Sequence, residues 1–256
     1  MRKWWMTGLL AGLALCNVTG KASVVTLDWN TLPQGTLTKS GSSYTDLVNL
    51  DGGQVKFTLT PSGPVTFSKF QGVQTPAVTN RIFQGGAPAP TSNLSTVAFF
   101  GPSSRNPTVT YTIDFLGGFS KGVTNLDLTL FDVDAADRAK FVDQVTFLTS
   151  GLTLTGSPDN VVSGNTVTGI ARSPNLGAGS GAGNVTVRSG GLPLTEIVFD
   201  YTSPGSLVSV LHGIGLGPIS FTPVPEVHQV AIGLLACAIG AFWLRRTARR
   251  KPVGVA

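Results

Sequence analysis

Five aspartates crowd the stretch LDLTLFDVDAADRAKFVDQVTF: Asp127, Asp132, Asp134, Asp137 and Asp143. Carboxylates at such short intervals can supply several hard oxygen ligands, the donor set that calcium takes. The candidate ligands are Asp132, Asp134, Asp137 and Asp143. Strand parity places Leu126, Leu128 and Leu130 on one face with Asp132 and Asp134, so an apolar face gives way to carboxylates as the strand ends. The stretch is not an EF-hand: Asp137 stands where the loop glycine is required, and no glutamate closes the loop. The plain alternative is a solvated acidic turn, partly neutralised by Arg138 and Lys140.

Catalytic groups are scarce elsewhere. His212, in SVLHGIGLG, is the histidine well inside the chain, and its setting predicts a strand end or turn. No G-x-S-x-G surrounds any serine, so a hydrolytic triad has no local support. A glycosidase built from two distant carboxylates stays open as an alternative, but the expectation is a body without enzymatic activity. The glycine run SPNLGAGSGAGN (173–184) has no lysine and no following helix, and it reads as a surface loop rather than a phosphate cradle. GGAPAPTSN (85–93) reads as a second loop. Trp29, Tyr44, Phe70, Phe83, Phe99, Phe100 and Phe119 are the rings that could stack on a sugar, if exposed.

The elements that must position these residues are strands. Between Ser23 and Phe221 no amphipathic helical period stands out. Short runs rich in Val, Thr, Phe and Ile alternate with Gly, Pro, Asn and Ser. Alternation is plain in QVKFTLT (54–60) and TVTYTIDF (108–115). It continues in LDLTLFDVD (126–134), FVDQVTFLT (141–149), TEIVFDY (195–201) and GPISF (217–221). Asp51-Gly52-Gly53 is a tight-hairpin signal. The expected fold is all-β, an antiparallel sandwich or jelly roll in one domain over 23–221.

Composition bounds the partners. Of 256 residues only 12 % are charged, and the net charge is +5. The excess lies at the ends: between Ser23 and Glu226, 10 basic residues face all 13 acidic ones. A body with that balance offers no footprint for a phosphate backbone, so no nucleic-acid partner is expected.

Both ends carry membrane signatures. Met1-Arg2-Lys3 precedes an apolar run from Trp4 to Cys16, roughly 20 Å as a helix and short for a bilayer. Gly20 and Ala22 fit the small-residue rule of signal peptidase, with cutting between Ala22 and Ser23, so residues 1–22 read as an export signal. Its removal takes Cys16 and leaves Cys237 without an intramolecular partner. Val227 to Leu244 carries no formal charge with His228 neutral, and spans roughly 27 Å as a helix. Arg245, Arg246, Arg249, Arg250 and Lys251 follow, a cluster that is held on the cytoplasmic side. The expected precursor is therefore single-pass, with the body outside and the tail inside.

The segment FTPVPEVHQVAIGLLACAIGAFWLRRTARRK (residues 221–251) resembles the PEP-CTERM sorting domain of Gram-negative bacteria. The matching parts are Val224, Pro225 and Glu226 for the motif, 227–244 for the helix and 245–251 for the basic tail, within a segment covering 222–251. Val227 stands where family members usually carry a second proline. The resemblance implies an exosortase as processing partner, beside signal peptidase, and delivery to the envelope, cell surface or extracellular matrix of an exopolysaccharide-making cell. An uncut membrane anchor is the alternative. YTIDF with LDLTLFDVD also resembles strand pairs in β-sandwich domains of bacterial surface adhesins. The body then reads as a non-enzymatic binding or structural sandwich with a polysaccharide as candidate ligand. A carbohydrate-binding module and a secreted polysaccharide-active enzyme are the alternatives.

Overall fold

The computed structural model describes residues 23–83, 92–102, 107–135, 141–170, 181–204, 210–225, 239–242 and 245. The chain divides into two compact units, one of Val24–Val224 and one of the two termini. Of the terminal unit, Ile239–Phe242 and Arg245 are helical. The expected export signal and most of the expected span (227–238 and 243–244) lie outside the described residues, among which no helix is long and apolar enough to cross a membrane.

The body is built from strands. The first are β1 Val25–Leu27, β2 Gly35–Thr36, β3 Thr38–Ser40, β4 Ser43–Leu50, β5 Gly53–Ser62 and β6 Val65–Phe67. Next come β7 Lys69–Phe70, β8 Val73–Gln74, β9 Ala77–Thr79, β10 Asn93–Phe100, β11 Thr108–Leu116 and β12 Val123–Phe131. The last are β13 Gln144–Phe147, β14 Leu152–Gly156, β15 Asn160–Ser163, β16 Thr166–Gly169, β17 Val185–Ser189, β18 Glu196–Thr202 and β19 Val210–Pro223. One sheet runs β14-β17-β12-β19-β10-β9-β2, with β1 on β19 and β6 on β10. The second runs β15-β16-β13-β18-β11-β5-β4-β3, and β7 and β8 form a separate hairpin. Antiparallel sandwich architecture was the sequence expectation, and the strands carry it.

The two inner faces make the main core. Val55, Phe57 and Leu59 of β5, with Val109, Tyr111, Ile113 and Phe115 of β11, are buried from one side. Leu126, Leu128 and Leu130 of β12 meet them from the other, with Ile214, Leu216, Ile219 and Phe221 of β19. Each such side chain contributes about 1.5–3 kcal/mol of burial. The Asp51-Gly52 hairpin forms as expected, Leu50 pairing with Gly53 and Gly52 taking a φ of 88° that a side chain would resist.

Two strand boundaries differ from the sequence reading. GPISF is the end of a strand that already begins at Val210, continued through a register shift against β12 at Gly217-Pro218. A proline is tolerated at such a bulge, and the Gly217 carbonyl accepts the Trp29 indole N–H at 2.7 Å. LDLTLF does not continue through DVD. Asp132 turns left-handed at φ 63°, which breaks the parity and sends Val133 into the main core.

β1 pairs β19 antiparallel, Val25 opposite Phe221, beyond the point where β10 ends its pairing at Leu216. Phe119 seals that pole against Phe221, ring centroids 5.1 Å apart. A Cβ on Gly53 would sit 2.7 Å from the Phe119 ring.

Candidate functional site

The acid-rich stretch meets His212 at the opposite pole. Asp143 stands just before β13, on the inward parity of Val145 and Phe147. Tyr201 shares the inward face of β18 with Ile197 and Phe199. His212 is the third residue of β19, opposite Ala98 of β10. Asp143 and Tyr201 therefore come from one sheet and His212 from the other.

Asp143 Oδ1 accepts from the Tyr201 hydroxyl at 2.7 Å and from His212 Nδ1 at 2.5 Å. His212 Nδ1 also lies 3.0 Å from the Tyr201 oxygen, so the three polar groups close a triangle. The Asp134 amide leans on Asp143 Oδ2 at 3.4 Å, and the Asp143 amide donates to the Asp134 carbonyl at 2.8 Å. Rings enclose the imidazole: Phe141 stacks on it at 4.9 Å and Phe100 tilts over it at 4.5 Å. Both the His212 and the Asp143 side chains are only 1 % exposed.

Burial, followed by the Asp143 charge and its hydrogen bond, pushes the Tyr201 phenol well above its ordinary value. Burial likewise raises the Tyr111 phenol. The Asp132 carboxyl is pushed up to about 9, first by desolvation and then by the charges of Asp134 and Asp143. Among the described residues, Asp132 is the carboxyl on which this crowding falls most visibly.

These positions correct the sequence picture in two respects. His212 is not a turn residue: it is the third residue of β19, near that strand's start as a strand-end reading has it, and it is buried inside the sandwich. Asp134 and Asp143 do not face solvent, each being 1 % exposed. Asp127 sits apart on the outside of β12, paired with Arg188 at 2.8 Å. Asp137 lies outside the described residues, and among those described no group of three or more His, Cys, Asp or Glu could hold a metal ion. The alternation in EIVFDY could have marked Tyr201 as inward. Asp143 lies 58 residues from Tyr201 and 69 from His212, so its meeting with them leaves no local trace.

The other candidates scatter. Trp29, Phe83, Phe100 and Phe119 are buried. Tyr44 is half-buried against Phe67, whereas Phe70 and Phe99 are 36 % and 41 % exposed. Ser23 is exposed, and Val224 and Pro225 follow β19, with the Val224 amide donating to the Gly122 carbonyl at 3.0 Å. Ala22, Glu226, Arg246, Arg249, Arg250 and Lys251 lie outside the described residues.

The class that these features define is an antiparallel β-sandwich in which Asp143, Tyr201 and His212 are sealed between the sheets. No family model and no curated protein sequence matches the chain. Among solved structures it is similar to the N-terminal domain of the Streptococcus gordonii adhesin Sgo0707, at a TM-score of 0.38 and 12 % identity. The match covers 75 % of this chain and 50 % of that one, so the chain spans half of that domain.

Proposed function

We propose that the chain is the precursor of an exported, non-enzymatic β-sandwich protein of the bacterial envelope or extracellular matrix. Signal peptidase cuts it before Ser23. An exosortase recognises Val224, Pro225 and Glu226 while 227–244 lies in the inner membrane with Arg245 to Lys251 on the cytoplasmic side. The body then binds matrix polymer or serves as a structural unit.

The observation that carries the non-enzymatic part is the sealing of Asp143, Tyr201 and His212. A general acid or base must come within hydrogen-bond reach of its substrate, and these three bond to one another through Asp143 Oδ1, the Tyr201 hydroxyl and His212 Nδ1, with the His212 and Asp143 side chains 1 % exposed. They join the sheets instead. The sorting part is supported by the order of motif, apolar run and cations. Mass spectrometry of the mature protein from its native host tests it: termini at Ser23 and near Glu226 are expected. An intact arginine-rich end would replace sorting by an uncut anchor.

A carbohydrate-binding reading is favoured by the exposure of Phe70 and Phe99. Rings in that state can stack on sugar faces. Binding on a glycan array would support it, and a blank array would remove it. Calcium at Asp132, Asp134, Asp137 and Asp143 remains a proposal of the sequence, tested by a melting-temperature titration with millimolar calcium.

A further inference from the structure

The outer face of the second sheet is a lattice of hydroxyls. Register aligns Thr166, Thr146, Asp200, Thr110, Thr60 and Ser43 in one row across six strands. The row is stitched laterally: Thr146 and Thr166 hydroxyls lie 3.1 Å apart, and those of Ser43 and Thr60 2.9 Å. The Thr110 hydroxyl donates to Asp200 at 2.6 Å. A parallel row holds Thr112, Thr58, Thr45 and Thr38. Thr168, Gln144, Thr202 and Thr108 form a third, with Gln144 donating to Thr168 at 3.2 Å. Rows of this kind repeat every ~4.8 Å across strands and roughly 6.8 Å along them. Branched threonines hold χ1 stiffly, so the lattice is preorganised.

Charge narrows the occupant. Within the three rows Asp200 is the charged side chain, and Thr110 already occupies one of its oxygens. No lysine or arginine stands in the three rows, and Lys56 of the adjoining row is matched in register by Asp114, so the rows are complementary to an uncharged polymer rather than an anionic one. A hydroxyl both donates and accepts, which matches another polyhydroxyl chain group for group. The twist of sandwich strands, some 20–25° between neighbours, prevents registry with a flat crystal but not with a flexible chain.

The lattice also leads into a cleft. Val198 extends the Thr112 row, and Glu196 extends the next row beside Asp114 and Lys56. Glu196 and Val198 help line a cleft of about 410 Å³ with Leu148, Thr149, Ser150 and Leu194. Exposed apolar carbon at Leu148 can meet the C–H face of a sugar ring, while the carboxylate and hydroxyls beside it can meet its hydroxyls.

We propose that this hydroxyl face and the adjoining cleft form a docking track for a neutral polysaccharide, with Glu196 accepting from sugar hydroxyls at one end. The inference deepens the polymer-binding part of the proposed function and rests on it. It moves the site away from Phe70 and Phe99.

Native affinity electrophoresis of the full chain in mild detergent tests it, with dextran and laminarin as neutral polymers and alginate as the anionic one. Retardation by a neutral polymer is expected, weakened about tenfold in Thr112→Arg and in Glu196→Ala, the loss of one or two hydrogen bonds. Phe99→Ala should bind as the unaltered chain does. Thr112→Val removes the hydroxyl at nearly constant shape and keeps the test open if Thr112→Arg does not fold. Loss in Phe99→Ala alone overturns the track and leaves polymer binding standing. Retardation by alginate alone overturns the charge argument. No retardation by any of the three polymers overturns both the track and the polymer-binding reading, while the termini found by mass spectrometry still decide sorting.

Discussion

The sandwich has two outer faces, and they are built on opposite plans. On the first sheet, β10 is buried along nearly its whole length, with Asn93, Ser95 and Thr96 at 0 % exposure. Ile82, Phe83, Val97 and Phe131 form a second small core on that side. Gly213, Gly215 and Gly217 make room for it: a Cβ on Gly215 would meet Phe83, and one on Gly217 would meet Phe131. The second sheet carries threonines in the equivalent positions and keeps them half-buried. One face is closed by aromatic rings lying on bare backbone. The other is left hydroxylated. A face that must be covered loses its side chains; a face that meets solvent or a ligand keeps small polar ones.

Substitutions can break this contrast. Gly213→Ala should do the most damage, because the new Cβ would fall 2.0 Å from the Thr96 carbonyl oxygen, a backbone atom with little room to move. A loss of about 3 kcal/mol or more in denaturant unfolding is expected, the upper end of overpacking. Phe131→Ala should cost about 3 kcal/mol by emptying the small core; a cost below about 1 kcal/mol would mean that the first sheet is not closed as described. Tyr201→Phe tests whether the join between sheets matters as much as their coverings. Leaving Asp143 and His212 one partner short should cost about 1–3 kcal/mol.

Asp132→Asn should act through pH. The folded chain holds a proton on Asp132 up to about pH 9, and the unfolded chain releases it near pH 3.9. That contribution is complete below the lower value and is lost as pH rises through the higher one. The melting temperature of Asp132→Asn should therefore gain on the unaltered protein between pH 4 and 9, and asparagine tolerates the left-handed turn. Equal slopes for the two proteins would show that the carboxyl is not crowded. Thr110→Val on the hydroxylated face should change stability least, by about 0.5 kcal/mol. If it matched Gly213→Ala, the contrast between faces would fall.

The same contrast explains what could be read from the chain. β5, β11 and β18 alternate because one side is core and the other is polar, so QVKFTLT, TVTYTIDF and EIVFDY announce themselves. β10 and the first half of β19 are covered on both sides. NLSTVAFF and HGIGLG therefore lack the polar beat of a strand, and Pro218 reads as a beginning rather than as a bulge. His212, Ile214 and Leu216 do alternate with glycine, a signal legible only when glycine is counted as a side of the sheet. Parity carried through Asp132 put Asp132 and Asp134 on the face of Leu126, Leu128 and Leu130, but the backbone reverses its hand at Asp132 and Val133 takes the inward place. Asp143 keeps the inward parity of its own strand. Its meeting with Tyr201 and His212 depends on pairings between strands far apart in the chain, which no local pattern carries.

The pairing of β1 with β19 has a mechanical consequence. Val25 lies opposite Phe221, so the body takes in its chain and lets it out at one pole. A pull on Val224 travels straight down a strand bonded to β12 on one side and to β1 and β10 on the other. Those bonds run across the line of force and share the load together instead of opening one by one. With the opposing load taken at the far pole, the sandwich should fail late and by sliding rather than peeling, with its rupture force set by the rate of unfolding. Pulled between its two ends at the one pole, β1 should peel from β19 first.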